Sequence, residues 1–339
     1  MKTWRSIALI SLFLAACTSV ARVPDLSQQG GMRAFIAEMA QRHGFDSAQL
    51  QAWFKAARVR GDIIDAISRP AESKPWYQYR PIFLQRSRIE GGVAFWDQNA
   101  KLLERAEEIY GVPPQIITAI LGVETRYGSR QGSYRVMDSL ITLAFNYPPR
   151  AAFFKGELEQ YLLLTREEGV DPLSLTGSYA GAMGQTQFIA SSFRHYAIDF
   201  DGDGKRDLWH NTADAIGSVA NYFKEHGWER DGAVAVPVTV SGGHPPQALM
   251  DKGLKPSLKV VDLQQQGIEM AQALPGDERV ALIALEQKQG PEYWAGLQNF
   301  YVITRYNHSP LYAMAVYQLS EEIRARRNTR MAHAGQSGR

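Results

Sequence analysis

Apolar side chains recur every three or four positions along most of this chain, which is the spacing of one buried helix face. The spacing predicts helices over about 31–43, 46–59, 95–110, 137–145, 151–167, 190–196 and 212–227. Asp46 or Ser47 is placed to cap the second of these helices. Pro113 and Pro114 open a further, strongly apolar helix that ends near Glu124, since proline is tolerated in a first helical turn. The body of the protein is therefore predicted to be helical.

The pattern changes near residue 231, where short strand-like runs replace helical spacing. Residues 233–240 predict a strand interrupted by a proline, and 280–285 and 300–304 predict two more strands. Pro310 then starts a final helix to about Ala325, after which the tail is predicted to be loose. The chain is thus predicted to be mainly α, of the α+β class, with a small β-containing domain.

The first seventeen residues have the pattern of an export signal. Lys2 and Arg5 precede an apolar run that ends in Leu-Ala-Ala-Cys at Cys17, the only cysteine of the chain. The run is shorter than the roughly 20 residues of a membrane-spanning helix, and its end resembles the signal of bacterial lipoproteins. Thr18 after the cysteine resembles outer-membrane sorting signals. We therefore predict a periplasmic protein held to the outer membrane by a lipid on Cys17, with an ordinary secretory signal as the alternative.

Composition narrows the class of protein further. The 339 residues are 45% hydrophobic, which is enough for a well-buried core. Lys and Arg number 37 against 35 Asp and Glu, so the balance argues against a nucleic-acid partner. A globular protein without a nucleic-acid ligand is the expectation.

Glu124 is the candidate proton donor. It ends a helix in which Ile116, Ile117, Ile120 and Leu121 leave little surface for water. Burial disfavours the charged form and raises the pKa of a carboxyl group, as a general acid at neutral pH requires. The alternative is a carboxylate that caps the helix or pairs with a neighbouring arginine.

A glycine-rich loop at 177–188 contains short polar side chains beside aromatic rings, among them Ser178, Tyr179, Gln187 and Phe188. Glycine lets the backbone approach a ligand closely. Hydroxyl and amide groups near rings suit a sugar, whose faces stack on π surfaces. A simple turn between helices is the alternative.

An acidic loop begins at Asp199 and follows the EF-hand pattern, with Gly204 at the sixth position. Its twelfth position is His210 instead of the usual glutamate, so Asp214 in the next helix is the candidate for the missing ligand. We predict a structural, non-catalytic calcium ion, with a solvated acidic turn as the alternative. The predicted ligands are the backbone carbonyl of Lys205 and the carboxylates of Asp199, Asp201, Asp203, Asp207 and Asp214.

Six ordered motifs between about Gln28 and Ala325 resemble the membrane-bound lytic murein transglycosylase B family. They are Lys74–Tyr79, Gly122–Arg126, Gly177–Phe188, Asp199–Trp209, Ala215–Tyr222 and Thr304–Ser309. The resemblance implies cleavage of the MurNAc to GlcNAc β-1,4 bond of peptidoglycan without water, leaving a 1,6-anhydro ring. It places both proton transfers on Glu124. A hydrolytic muramidase and a non-catalytic murein-binding scaffold are the alternatives.

The same resemblance implies the binding residues and the domain plan. Contacts to the saccharide would come from Tyr79, Ser178, Met183, Gln187, Phe188, Tyr306 and Asn307. The family fold implies a lysozyme-like helical catalytic core. Separately, we expect a monomer that is recruited to cell-wall synthesis complexes. The predicted divisions are a signal at 1–17, a tether at 18–28, an N-terminal α domain at 29–110, the core at 111–230, a β-containing domain at 231–305, a returning helix at 306–326 and a flexible tail at 327–339.

Overall fold

The computed structural model describes residues 30–68 and 74–337, so Cys17 and the predicted tether lie outside the described residues. The first seven helices are α1 Gly30–His43, α2 Ser47–Ala56, α3 Gly61–Ile67, α4 Trp76–Phe83, α5 Arg86–Gln98, α6 Ala100–Tyr110 and α7 Pro114–Thr125. The others are α8 Val136–Asn146, α9 Ala151–Glu167, α10 Ala190–Tyr196, α11 Thr212–Glu225, α12 Gln247–Met250, α13 Val260–Gln264, α14 Gln298–Tyr306 and α15 Pro310–Ser337. The strands are β1 Tyr134–Arg135, β2 Thr176–Gly177, β3 Ala235–Val240, β4 Leu258–Lys259, β5 Ile268–Met270, β6 Arg279–Gln287 and β7 Gly290–Gly296.

Helix α7 lies at the centre of the helical body. Pro114 occupies its first turn, and most of its side chains are buried, as the apolar sequence predicts. Helices α5, α6, α11 and α15 pack around it. This packing confirms the predicted mainly α architecture and brings the end of α7, with Glu124, among several other helices.

A five-stranded antiparallel sheet with the order β4-β6-β7-β3-β5 forms the β-containing part. Both faces of strand β6 are covered. Val280 and Leu282 pack in a small core of the sheet's own, whereas Ile283 and Leu285 join the main helical core. The alternation of strand side chains thus attaches the sheet to the helical body.

Three sequence expectations are wrong. The single helix predicted over 95–110 is the end of α5 and the whole of α6, because the backbone of Asn99 leaves the helical conformation and its Nδ2 donates to the Phe95 carbonyl at 2.9 Å. Residues 300–304 form part of helix α14 instead of a strand, because Phe300, Ile303 and Thr304 make a helical face that is buried in the main core. The tail from Arg327 continues helix α15 to Ser337. Arg327 holds this extension against α5, where its Nε donates to Asp97 Oδ1 at 2.8 Å.

The turn after α7 is held by a tyrosine ring between two helices. Arg126 and Tyr127 both have left-handed backbones, with φ of 49° and 60°, a conformation that costs a residue with a side chain about 1–3 kcal/mol. The Tyr127 hydroxyl donates to the Arg88 carbonyl at 2.7 Å. A Cβ at Gly122 would lie 2.6 Å from that hydroxyl oxygen, so only glycine lets the ring occupy this place.

We expect Gly122→Ala to lower the free energy of unfolding by about 1–3 kcal/mol, because the added methyl overlaps a ring that cannot move without losing its hydrogen bond. Gly156→Ala is the matched control, since a Cβ there meets nothing within 4 Å. It should raise the same free energy by about 0.5–1 kcal/mol through helix propensity. Equilibrium urea unfolding measures both changes. Equal unfolding midpoints for the two variants would show that the Tyr127 ring is free to move away from the added methyl group.

Candidate active site

Glu124 lies half-buried in the last turn of α7 and is hydrogen-bonded by a tyrosine from the last helix. The Tyr312 hydroxyl donates to Glu124 Oε1 at 2.5 Å. Burial raises the pKa of Tyr312 well above its usual value, and the negative charge of Glu124 raises it further. Tyr312 therefore keeps its proton at neutral pH, and its hydroxyl donates a hydrogen bond to the carboxylate.

Tyr312 is a site residue that sequence reasoning missed. It is 3% exposed and belongs to the apolar face of α15. An aromatic residue at helical spacing is typical of a core, so its position in the pattern carried no sign of chemistry. The one sequence signal for a role in the site was its position six residues after Tyr306, a predicted saccharide contact.

Tyr306 and Tyr79 complete a group of three tyrosines around this carboxylate. The Tyr306 hydroxyl donates to the Thr186 carbonyl at 2.7 Å. Burial raises the pKa of Tyr306, and the charge of Glu124 is the next largest cause. Tyr79 is 1% exposed and lies close enough to raise the pKa of Tyr312. Helices α4, α14 and α15 thus each bring one phenol to the end of α7.

The glycine-rich loop is folded by its own hydrogen bonds. The backbone N–H of Ser178 donates to the Ala182 carbonyl at 2.8 Å, and Ser178 Oγ accepts from the Ala182 N–H at 3.0 Å. A Cβ at Gly177 would lie 2.2 Å from the Ala182 carbonyl oxygen, so this tight turn requires glycine. Met183 is fully buried within the loop. The loop is a rigid element rather than a loose connection.

A cleft of about 950 Å³ runs beside this loop, and four of the seven predicted saccharide contacts line it, namely Gln187, Phe188, Tyr306 and Asn307. The Phe188 and Tyr306 rings are 5.7 Å apart. Gln187 has a left-handed backbone with φ of 52°, and its Nε2 donates to the Gly184 carbonyl at 2.9 Å. Strained residues held in this way are typical of functional sites. Ser178 is half-buried in the same loop, whereas Met183 and Tyr79 lie beneath the surface.

The residue after Glu124 ties α7 to this loop. Thr125 Oγ1 donates to the Gln185 carbonyl at 2.9 Å and accepts from the Gly128 N–H at 3.0 Å. The Gln185 N–H in turn donates to the Leu208 carbonyl, at 2.7 Å, at the end of the acidic loop. A continuous chain of hydrogen bonds therefore joins the end of α7, the glycine-rich loop and the acidic loop.

Gln131 forms a second link between the same three segments, and no sequence pattern indicates it. Its Nε2 donates to the Gly128 carbonyl at 3.1 Å and to the Trp209 carbonyl at 2.9 Å. Its own carbonyl accepts from Gln187 Nε2 at 3.2 Å. The side chain that lines the cleft is thus braced by a residue that also holds the acidic loop.

In the acidic loop, Asp199, Asp201 and Asp214 bring one carboxylate oxygen each within 4.8 Å of one another. Asp214 is fully buried and accepts from the Phe200 and Asp207 N–H groups, both at 2.8 Å. Burial raises the pKa of Asp214, and the charges of Asp201 and Asp199 raise it further. A hard cation among these oxygens would relieve the repulsion, so the donor set fits calcium.

The other predicted ligands lie outside this group of three. The carboxylate of Asp203 accepts from the Lys205 N–H at 2.9 Å, and that of Asp207 accepts from the Trp209 N–H at 2.9 Å. Asp199 is oriented by the Gly202 and Gly204 N–H groups, both at 2.7 Å. Its burial opposes ionisation, but these backbone donors outweigh it and lower the pKa of Asp199. Ligand roles for Asp203, Lys205 and Asp207 stay predictions.

Comparisons with known proteins agree on one family. A sequence profile of the transglycosylase SLT domain matches residues 27–321. The membrane-bound lytic murein transglycosylase B of Escherichia coli strain K12 is 44% identical over 309 residues, which cover 88% of this chain and 84% of that protein.

Solved structures give the same result. The catenated lytic transglycosylase SltB1 from Pseudomonas aeruginosa matches with a TM-score of 0.84 at 50% identity, over 89% of this chain and 100% of that chain. The Escherichia coli lytic transglycosylase Slt35 in complex with calcium matches with a TM-score of 0.82 at 44% identity, over 89% and 95%. Pseudomonas aeruginosa SltB3 in complex with NAG-NAM-pentapeptide matches with a TM-score of 0.77 at 32% identity, over 87% and 79%. These neighbours confirm the predicted lysozyme-like fold.

Proposed function

The chain belongs to the lytic murein transglycosylases that carry a transglycosylase SLT domain, and we propose that Glu124 is its single catalytic acid and base. Enzymes of this family cleave the glycosidic bonds of peptidoglycan and leave anhydro ends. The observation that carries the proposal is the hydrogen bond from Tyr312 to Glu124 at the end of the central helix. It orients a half-buried carboxyl group near Tyr306, whose side chain lines the cleft with polar and aromatic walls.

The proposed reaction needs one carboxyl group for two proton transfers. Glu124 first gives its proton to the glycosidic oxygen as the bond from C1 to that oxygen breaks. The oxygen of the MurNAc C6 hydroxyl then bonds to C1, and the Glu124 carboxylate accepts the hydroxyl proton. Glu124 is therefore a protonated carboxylic acid again at the end of the reaction. Most glycosidases add a second carboxylate for water or for a covalent intermediate. Tyr312 and Tyr306 are phenols, which suits a reaction in which the sugar supplies the nucleophile.

The substrate contacts follow from the cleft. We propose that Gln187 and Asn307 bond the N-acetyl and hydroxyl groups of the sugar, while Phe188 and Tyr306 offer ring faces. Ser178 fixes the glycine-rich loop by its hydroxyl. Tyr79 and Met183 are buried, and they would shape the floor of the site.

We expect Glu124→Gln to lower kcat on isolated peptidoglycan by about 10²–10⁴-fold, because the amide neither donates nor accepts the required proton. Mass spectrometry of the digest measures this and identifies the ends produced by the wild type, which should be 1,6-anhydroMurNAc. Glu108→Gln, a change of the same kind on the exposed surface of α6, is the control.

The digest also separates the two alternatives. Products heavier by one water would make the protein a hydrolytic muramidase with the same glutamate. Wild type that binds peptidoglycan but releases no fragment would make it a murein-binding scaffold. Unchanged cleavage by Glu124→Gln would remove Glu124 from the reaction.

We expect Tyr312→Phe to move the alkaline limb of the kcat/KM profile to higher pH. A phenol that donates to a carboxylate favours its charged form, so loss of the hydroxyl makes the acid of the first step harder to deprotonate. A stopped assay of anhydro ends between pH 5 and 9 measures the shift. Tyr317→Phe, five residues along the same helix, should leave the limb in place, and a shift towards lower pH would contradict the assigned hydrogen bond.

We further propose that the acidic loop binds calcium through Asp199, Asp201 and Asp214, as a structural ion. Support comes from the convergence of these three carboxylates and from the calcium complex of the relative Slt35. Asp203, Asp207 and the Lys205 carbonyl would complete the set after small rotations. When bound, the ion supplies charge neutralisation and no chemistry at Glu124.

Chelator should lower the melting temperature of the wild type, and millimolar calcium should raise it by about 5 °C, since a ligand at 100 times its Kd adds about 2.7 kcal/mol. Differential scanning calorimetry measures the shift. Asp214→Asn should abolish it by removing the buried charge. Asp277→Asn, an exposed acid in the β-containing part, should keep it, and equal loss in both variants would contradict a site in the acidic loop.

The cellular location is proposed from the amino-terminal pattern together with the membrane-bound relative. None of the helices within 30–68 and 74–337 has the length and apolarity to cross a bilayer. We propose a lipid on Cys17 that tethers a monomer to the outer membrane, with peptidoglycan as its partner. Recruitment to cell-wall synthesis complexes stays a prediction.

Cys17→Ala should move the protein from the membrane fraction to the soluble periplasmic fraction, because the substitution removes the atom that would carry the lipid. Retention of the variant in the membrane fraction would contradict the lipid anchor.

A further inference from the structure

Arg88, in the first part of α5, is a buried cation that has no ion pair with any carboxylate of residues 30–68 and 74–337. Arg88 is 7% exposed. Its Nε and Nη1 atoms have no hydrogen-bond partner among the described residues. The Phe83 ring lies 5.0 Å from the guanidinium. Such a cation–π contact contributes about 0.5–2 kcal/mol, which is less than the several kcal/mol that burial of an unpaired charge costs.

Two further arginines add to this positive charge. The turn that carries Arg126 lies against the start of α5, because the Tyr127 hydroxyl donates to the Arg88 carbonyl at 2.7 Å and Arg126 Nη2 lies 3.5 Å from Gln85 Oε1. Burial lowers the pKa of Arg88 most, and the charges of Arg126 and Arg130 lower it further. Within the described residues none of the three forms an ion pair with a carboxylate, whereas the nearby Arg86 and Arg327 pair with Glu90 and Asp97. The carbonyl end of α7 offsets about half a charge. The arginine cluster, Arg88, Arg126 and Arg130, therefore keeps an excess of positive charge.

The arginine cluster adjoins the active site on its Tyr79 side. Tyr79 lies near Tyr312, which bonds Glu124, and the Tyr79 and Phe83 ring centroids are 5.1 Å apart. Phe83 is the ring that faces Arg88. From the other direction, Arg126 is separated from Glu124 by one residue, and its left-handed backbone starts the turn that presents Arg130 to solvent.

We propose that the arginine cluster is a subsite for a free carboxylate of the peptide stem that MurNAc carries in peptidoglycan. The inference rests on the proposed function and names a further part of its substrate. Arg126 and the exposed Arg130 would contact the carboxylate. The buried charge of Arg88 would add to the electrostatic attraction between the cluster and that carboxylate. An extended peptide spans about 3.3–3.6 Å per residue, so the first two or three stem residues reach about 10 Å from the sugar. The relative SltB3 was solved with a glycan that bears a pentapeptide.

The test compares glycan strands that carry stem peptides with strands from which an amidase has removed them. For the double variant Arg126→Gln, Arg130→Gln, the ratio of kcat/KM on peptide-bearing strands to kcat/KM on stripped strands should fall by about 10-fold relative to wild type. Replacement of both residues by lysine should restore part of the ratio, because the charge returns without the guanidinium geometry. Arg86→Gln is the matched control and should keep the wild-type ratio, since its side chain is 87% exposed and pairs with Glu90.

A second measurement does not depend on turnover. Fluorescence anisotropy of a labelled L-Ala-D-Glu-diaminopimelate peptide should show weaker binding to the double variant, and to wild type when the peptide carboxylates are amidated. If the double variant does not fold, judged by circular dichroism, the single exposed change Arg130→Gln replaces it. An unchanged ratio in the variant, or equal binding of the amidated peptide, overturns the subsite. Wild type that cleaves neither strand overturns the proposed function, and peptide binding alone then decides the subsite.

Discussion

The burial of helix α7 is the constraint on which the rest of this structure depends. A helix that is apolar on nearly every side needs a shell of other helices, and that shell determines what surrounds its one acidic residue. Helix α15 of this shell contributes Tyr312, and α4 and α14, which pack on α15, contribute Tyr79 and Tyr306. Each tyrosine has a polar hydroxyl group on an apolar ring. The same packing that covers α7 therefore also makes the environment of Glu124.

The site is assembled from segments that are distant along the chain but joined by hydrogen bonds from side chains to main-chain carbonyls. Thr125 and Gln131 bond to the carbonyls of Gln185 and Trp209, so the cleft wall and the acidic loop share one scaffold with the end of α7. Each of these bonds contributes about 1 kcal/mol. Their main role is to orient the segments, because a shift of the acidic loop would also shift the glycine-rich loop that forms the cleft wall.

Sequence pattern predicted the elements with strong periodicity and clear ends. Helices α9 and α10 have the predicted bounds, and Asp46 caps α2 by accepting from the Gln49 N–H at 2.8 Å. The run at 300–304 was misassigned because five residues do not distinguish alternation from a helical face, and tertiary burial of Phe300 decided the outcome. The family resemblance, rather than spacing, placed Tyr306 and Asn307 in the site. Tyr312, Gln131 and Arg88 were missed because their roles depend on neighbours from other helices, which no local pattern contains.

The bracing of the acidic loop has a consequence for how such proteins can diverge. The carbonyls of Leu208 and Trp209 are fixed to Gln185 and Gln131, whereas Gly202 and Gly204 lie at the exposed tip, where a Cβ would meet nothing within 4 Å. Insertions between 202 and 206 would therefore lengthen the loop outward and leave the cleft unchanged. An insertion after Asp207 would displace the Leu208 and Trp209 carbonyls from Gln185 and Gln131, and Gln131 also braces Gln187 in the cleft wall. Length variation among related sequences should accordingly concentrate in the first half of this loop, and the second half should keep its length even where the acidic residues have been lost.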